Sequence, residues 1–176
     1  MHPNLLQAAQ QAASLHQRGQ HKAALAAIEP ILSRHPPEAS VHNLIGFIAL
    51  AHGDSTKAER HARMAISLEA DQAGHHSLLG LIMRAKQDHE TAEAAFQHAL
   101  ALNPHEGGIW VNLGNLFRDM GRTEQAEAAY KRAISEEPGN THAHYNLGLL
   151  LAPVAPETAE TAFRAALRLD PNQADV

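Results

Sequence analysis

The chain has 176 residues, no cysteine, and 14 lysines and arginines against 19 aspartates and glutamates; with its 14 histidines neutral the formal charge is −5. Lack of cysteine excludes disulfides and thiolate metal sites, and an acidic balance argues against nucleic acid, whose phosphates call for a basic face. No apolar run approaches the roughly 18 residues of a membrane span, and Met1-His2-Pro3-Asn4-Leu5-Leu6 lacks the basic and apolar regions of a secretory leader, so a soluble cytoplasmic protein without membrane contact is expected.

The chain matches itself at a spacing of 34 residues: Gly46, Gly80, Gly114 and Gly148 are in register, as are Ala58, Ala92 and Ala126, and Ala65, Ala99 and Ala133. A period of this length indicates stacked supersecondary units that bury their faces against neighbours. Hydrophobic residues make up 44% of the chain but aromatics only 4%, so the core is expected to consist of many small contacts between closely approaching helices.

Repeat 1, residues 5–38, carries Ala12, Leu15, Gly19, Ala24, Ile28 and Pro36, with Gln11 at an otherwise apolar position, as a solvent-facing cap would have. Pro30 removes a hydrogen bond to Ala26 and is expected to kink or split the second helix. Repeat 2, residues 39–72, keeps Ile45-Gly46, Gly53, Ala58 and Ala65, but has Ala62 where an aromatic recurs and Ala70 where a proline recurs. Repeat 3, residues 73–106, keeps Leu79-Gly80, Met83, Ala92, Phe96, Ala99 and Pro104.

Repeat 4, residues 107–140, is the clearest. Trp110, Leu113, Gly114 and Phe117 fall at i, i+3, i+4 and i+7, one face of a helix. Gly121 is expected to end that helix and Thr123 to cap the next. Ala126, Tyr130, Ala133 and Ile134 share a face of the second helix, and Glu136-Glu137-Pro138-Gly139-Asn140 turns the chain. Repeat 5, residues 141–173, is one residue short. The deletion falls in Ala152-Pro153-Val154-Ala155-Pro156, whose prolines should end the first helix early and stiffen the turn. Residues Asp170 to Val176 read as the approach to a further helix. The last apolar face is therefore expected to be uncapped, in a fragment of a longer protein or beneath a partner or second copy.

The set Trp110, Leu113-Gly114, Phe117, Ala126, Tyr130, Ala133 and Pro138 resembles the tetratricopeptide repeat. The resemblance implies an all-α, right-handed solenoid of five helical hairpins, forming a single array over residues 1–176. It also implies a non-catalytic scaffold that needs no cofactor, whose first helices line a concave groove for a protein or peptide.

Carried onto this chain, the groove positions are Asn43, Phe47 and Leu50 in repeat 2, and Ser77, Leu81 and Arg84 in repeat 3. Repeat 4 supplies Val111, Asn112, Asn115, Arg118 and Asp119, and repeat 5 supplies His142, Tyr145, Asn146 and Leu149. Phe47, Leu50, Leu81 and Leu149 are either a surface meant to be covered or extra packing inside the superhelix. Arg84 and Arg118, 34 apart, are either a grip on a ligand's acidic group or a solvated pair.

Two narrower resemblances separate. The carboxylate clamp of chaperone-binding tetratricopeptide domains is absent, because its lysine positions hold residues such as Ala9, Asn43, Ser77, Gly74 and Gly108. Asn112 and Asn146, each before Leu-Gly, match two rungs of the asparagine ladder of O-linked N-acetylglucosamine transferases. That similarity keeps a second reading open, the N-terminal arm of a larger glycosyltransferase or sulfotransferase.

Chemistry is otherwise sparse. There is no Gly-Lys-Ser/Thr phosphate loop and no Gly-x-Ser-x-Gly, and His89-Glu90-Thr91-Ala92-Glu93 lacks the second histidine of His-Glu-x-x-His. His89 and Glu93 are either a solvated helix start or a weak surface ion site, and no metal centre is expected. His42, His76 and His144 share the register of Trp110 and are expected to be half-buried substitutes for its ring. Protonating all 14 histidines would carry the charge from −5 to +9, which implies pH sensitivity.

Overall fold

The computed structural model describes residues 2–32 and 34–171. They form ten α-helices and no strand: α1 (Pro3–Gln17), α2 (His21–Leu32), α3 (Ala39–Ala51), α4 (Ser55–Leu68), α5 (Ala73–Ala85), α6 (His89–Leu102), α7 (Gly107–Asp119), α8 (Thr123–Glu136), α9 (Thr141–Leu151) and α10 (Pro156–Leu169). Two helices per repeat is the expected helical-hairpin class.

The chain divides into two compact units, Met1–Ala95 and Phe96–Val176. In the N-terminal unit α1 pairs with α2 and α3 with α4, while α3 also touches α1, α2 and α5, and α4 packs on α5. Its core gathers Leu5, Ala12, Ala24, Ile28, Val41, Ile45 and Ile48. In the C-terminal unit α7 pairs with α8 and α9 with α10, and α9 lies against both α7 and α8. Leu116, Ala126, Tyr130, Ala133 and Ala143 are fully buried there. Each fully buried large apolar side chain contributes about 1.5–3 kcal/mol, and the many alanines let the helix axes approach.

Glycine on the first helix of a hairpin makes room for a ring on the second. A Cβ at Gly114 would lie 2.5 Å from Tyr130 Cε1, and one at Gly148 2.6 Å from Phe163 Cε1. Repeat 2 has Ala62 where these rings stand, and Leu78 Cδ2 fills the space instead, 2.8 Å from a Cβ on Gly46.

The turn inside the hairpin recurs in repeats 1 to 4. Gly19, Gly53 and Gly121 have φ of 73°, 86° and 72°, and the same position in repeat 3 is Gln87 at 61°. Cap residues follow at once. Asp54 Oδ1 accepts from Lys57 N at 2.9 Å and Asp88 Oδ1 from Thr91 N at 3.2 Å, satisfying helix-start donors. In repeat 4 the N-cap is Arg122, without a side-chain cap bond, and Thr123 is the first helical residue rather than the cap. The threonine lies one place too late in the 34-residue register that Asp54 and Asp88 define.

Pro30 corrects one of the two expected outcomes, the split. It lies inside α2, which continues to Leu32 without being split. Only two residues follow it, so little helix remains to be disrupted. Repeat 5 behaves as its prolines require: α9 has 11 residues where α7 has 13, and Pro156 opens α10. The expected further approach, Asp170 to Val176, lies outside the described residues beyond 171.

The shared register of Trp110 and the histidines has a polar reason. Trp110 Nε1 donates to Pro104 O at 2.9 Å. His76 Nε2 bonds Ala70 O at 2.8 Å and His144 Nε2 bonds Pro138 O at 3.1 Å. In each case a ring N–H reaches the carbonyl six residues earlier, which explains why indole and imidazole interchange here. His42 is the exception, buried and bonded to another imidazole.

Candidate peptide-binding surface

In each unit the first helices of neighbouring repeats touch, α1 on α3, α3 on α5, and α7 on α9. In the N-terminal unit Phe47 is 37% exposed, and Asn43, Leu50, Leu81 and Arg84 are half-buried. Ser77 is buried at 8% exposure, so it backs the surface instead of projecting from it. Asn43 Oδ1 is buried and accepts no hydrogen bond, a cost of about 1–3 kcal/mol unless a donor arrives.

The C-terminal unit holds a recess of about 490 Å³ beside Thr161, Arg164, Leu167 and Arg168 on the outer face of α10, and a smaller one of about 300 Å³ on α7 and α9. The smaller one gathers the expected residues: Val111, Asn112, Asn115, His142 and Asn146, with Gly108 and Asn140 added. Asn112 and Asn146 are half-buried, one repeat apart, and each amide offers both donors and an acceptor. Asn115 Oδ1 already accepts from Tyr130 Oη at 2.8 Å, which orients its NH₂ as the remaining donor. Val111 is 6% exposed and forms the apolar floor.

Asn140 is a residue the sequence reasoning passed over. Its Oδ1 caps α9 by accepting from Ala143 N at 3.0 Å, and its Nδ2 donates to Glu137 Oε2 at 2.7 Å. It read as a turn asparagine, and the turn is what sets it at the mouth of the recess.

The remaining expected residues stand apart from the recess. Tyr145 packs edge-on against Phe163, ring centroids 5.8 Å apart, within its own hairpin. Leu149 is 44% exposed. Arg118 Nη2 lies 3.8 Å from Asp119 Oδ1, a loose contact in which a carboxylate already faces the guanidinium. Arg84 belongs to the N-terminal unit and Arg118 to the C-terminal one.

Among the described residues no group of three or more histidines and acids is arranged to hold a metal ion. No described helix is long and apolar enough to cross a membrane. Family profiles described as tetratricopeptide repeat match residues 9–74, 48–107 and 83–145. The chain belongs to the tetratricopeptide repeat family.

Solved structures of similar fold include TTC0263, a thermophilic tetratricopeptide protein of Thermus thermophilus, at 19% identity and a TM-score of 0.84, covering 97% of this chain and 94% of that one. MamA is 23% identical with a TM-score of 0.73, covering 94% of this chain and 97% of its own. PilF of Pseudomonas aeruginosa is 17% identical with a TM-score of 0.81, covering 94% of this chain and 76% of its own. At these identities the likeness is one of fold. No curated protein sequence gives a significant match. Tetratricopeptide arrays act in general as scaffolds for protein–protein interaction, typically without catalysis.

Proposed function

We propose that this tetratricopeptide protein is a non-catalytic scaffold that holds an extended peptide segment of a partner protein along its first helices. The observation that carries this reading is the convergence of Asn112, Asn115, Asn140 and Asn146 on one recess floored by Val111. Asn112 and Asn146 suit a peptide backbone because an amide can both give and receive a hydrogen bond, matching the alternation of N–H and C=O along an extended chain, while Asn115 adds a donor and Asn140 shapes the rim. In the N-terminal unit, Phe47, Leu50 and Leu81 offer apolar contact, and the unpaired Asn43 Oδ1 offers an acceptor. Arg84 and Arg118, each in its own unit, add sites where an acidic side chain of the partner can be met by a charge-assisted bond.

The test is selection of binders from a random displayed-peptide library against the whole chain, followed by NMR of the side-chain amides. Shifts at Asn112, Asn115 and Asn146, and at least tenfold weaker binding by Asn112→Ala plus Asn146→Ala with unchanged helicity, are expected. Peptides that leave those amides unmoved would sink the reading. Arg84→Ala plus Arg118→Ala is expected to weaken acidic peptides selectively, and equal affinity would remove the arginines from it.

A further inference from the structure

In repeat 2 a ring has moved by one residue. Phe96, Tyr130 and Phe163 recur in the register of Ala62, while Ala27, Ala95, Ala129 and Ala162 recur in the register of His61. His61 is 6% exposed, and across the hairpin on α3 stands His42, 7% exposed. The two Nδ1 atoms are 2.9 Å apart, with ring centroids 5.1 Å apart. Repeat 4 fills the corresponding positions with a large and a small residue, Trp110 and Ala129. Repeat 2 uses two medium-sized rings, and both are titratable.

Two ring nitrogens at this distance share a single proton, one donating and the other accepting. Arg60 decides the direction. Its Nη2 stands 3.4 Å from His61 Nε2, and a guanidinium can only donate. His61 Nε2 therefore accepts, and His61 Nδ1–H donates to His42 Nδ1, leaving the proton of His42 on Nε2. Both lone pairs that a further proton would need are already accepting hydrogen bonds. A proton on His42 Nδ1 would set N–H against N–H within the hairpin, and one on His61 Nε2 would face the guanidinium.

We infer that the His42–His61 pair is an acid-sensitive latch, holding the α3–α4 hairpin shut while both rings are neutral and releasing it when they take up protons. The surroundings reinforce the sign. Arg60 and Lys57 on α4 oppose added positive charge, and Glu29 on α2, which would favour it, is engaged by Lys57 Nζ at 2.8 Å. Of the other helices against the hairpin, α5 brings buried His75, whose Nε2 is 3.7 Å from Glu69 Oε2, and α1 brings His16, paired with His21 at 3.0 Å. In the C-terminal unit His105 meets the Glu136 carboxylate at 2.6 Å and His144 meets a carbonyl, partners that accept from a charged ring as well as from a neutral one.

Burial, then the neighbouring His42 and Arg60, push His61 down to about 4; burial, then Arg60, lower His42 as well. In the unfolded chain these rings take up protons near 6.5. Between the two values the unfolded state binds more protons than the folded one. The pair's contribution is therefore complete above about pH 6.5, falls as the pH drops through 6 and 5, and levels off near 4. This inference does not depend on the proposed peptide site.

The experiment is residue-resolved NMR of urea titrations of the whole chain at pH 7.5 and 5.0, with α7–α8 amides as internal reference. The opening equilibrium of α3–α4 is expected to rise about 30-fold more than that of α7–α8, from the shift of His61 alone. His42→Trp plus His61→Ala, which restores the pairing of repeat 4, is expected to abolish the excess. An equal response in both hairpins, or a variant as acid-sensitive as the parent, would overturn the latch. Should that variant not fold, long-range ¹H–¹⁵N spectra of the unaltered chain decide. His61 protonated on Nδ1 and still neutral at pH 5.5 is expected, with His42 titrating below its ordinary value, and either ring titrating near 6.5 overturns the inference.

Discussion

The two units build the same hairpin from different materials. In the C-terminal unit one large ring per hairpin presses on a glycine, Tyr130 on Gly114 and Phe163 on Gly148. In the N-terminal unit repeat 2 has Leu78 against Gly46 and two imidazoles between its helices. Ten of the 14 histidines lie within residues 1–95, and the ring pairs His2–His35, His16–His21 and His42–His61 all belong there. The Phe163 ring needs only volume, and Tyr130 needs one further partner for its hydroxyl, which Asn115 supplies. An imidazole of similar reach needs a partner for each nitrogen and carries proton linkage with it. The tetratricopeptide frame accepts both, so its geometry says little about how firmly each part holds under changing conditions.

The largest expected effect breaks the aromatic side of this comparison. Tyr130 is fully buried and its hydroxyl holds Asn115 in place. Tyr130→Ala gives repeat 4 the small residue that repeat 2 has natively at position 62, but without a leucine to fill the space over Gly114. A loss of about 3–5 kcal/mol is expected, read as a lower urea midpoint by circular dichroism. A loss below about 1 kcal/mol would mean that the glycine–ring contact is not what closes this hairpin.

Most of the hairpin frame was legible because it rests on small residues at fixed spacing. Gly114, Ala126 and Ala133 are where the helices touch, and a substitution there would be felt, so the period survives. The candidate recess was legible in part. Asn112, Asn115 and Asn146 line the recess from the first-helix face that the register assigns them, whereas Asn140 stands at the N-cap position shared by Glu38, Gln72 and Glu106, where a turn residue gives no sign of lining a surface. Ser77 is buried behind the surface and Val111 lies at the floor of the recess, because a 3.6-residue period locates a face without saying how deep its edge lies. The His42–His61 contact escaped for another reason: His42 is ordinary in its register, which His76 and His144 share, and acquires a titratable partner only because His61 replaces an alanine across the hairpin. The lone histidine in a column of alanines was the available signal.

A middle-sized effect tests whether every buried histidine of the N-terminal unit is useful. His75 is 6% exposed, and neither ring nitrogen makes a hydrogen bond. The same register holds Val41, Ile109 and Ala143 in other repeats. His75→Ile replaces an unsatisfied buried polar ring by an apolar side chain of similar volume, and should stabilise the N-terminal unit by about 1–2 kcal/mol at pH 7.5. Unchanged or lower stability in urea would show that this ring has a partner, with Glu69 the nearest candidate at 3.7 Å.

The smallest effect compares the turns. Gln87 holds φ at 61° in the position that Gly19, Gly53 and Gly121 occupy elsewhere. Its neighbours make the usual turn bonds, Gln87 N to Arg84 O at 3.0 Å and Asp88 N to Met83 O at 2.9 Å, so the backbone path is the same and only the residue is unsuited to it. A side chain in the left-handed region costs about 1–2 kcal/mol, offset in part by the greater freedom glycine has in the unfolded chain. Gln87→Gly should therefore gain about 0.5–1 kcal/mol. Gly121→Gln in the C-terminal unit should lose about as much, and a Cβ there meets nothing within 4 Å, so conformation alone is tested. Equal and opposite shifts in urea midpoint would mean that the turn obeys one rule in both units. A gain at 87 without a loss at 121 would place the cost in the surroundings of Gln87 and not in its backbone.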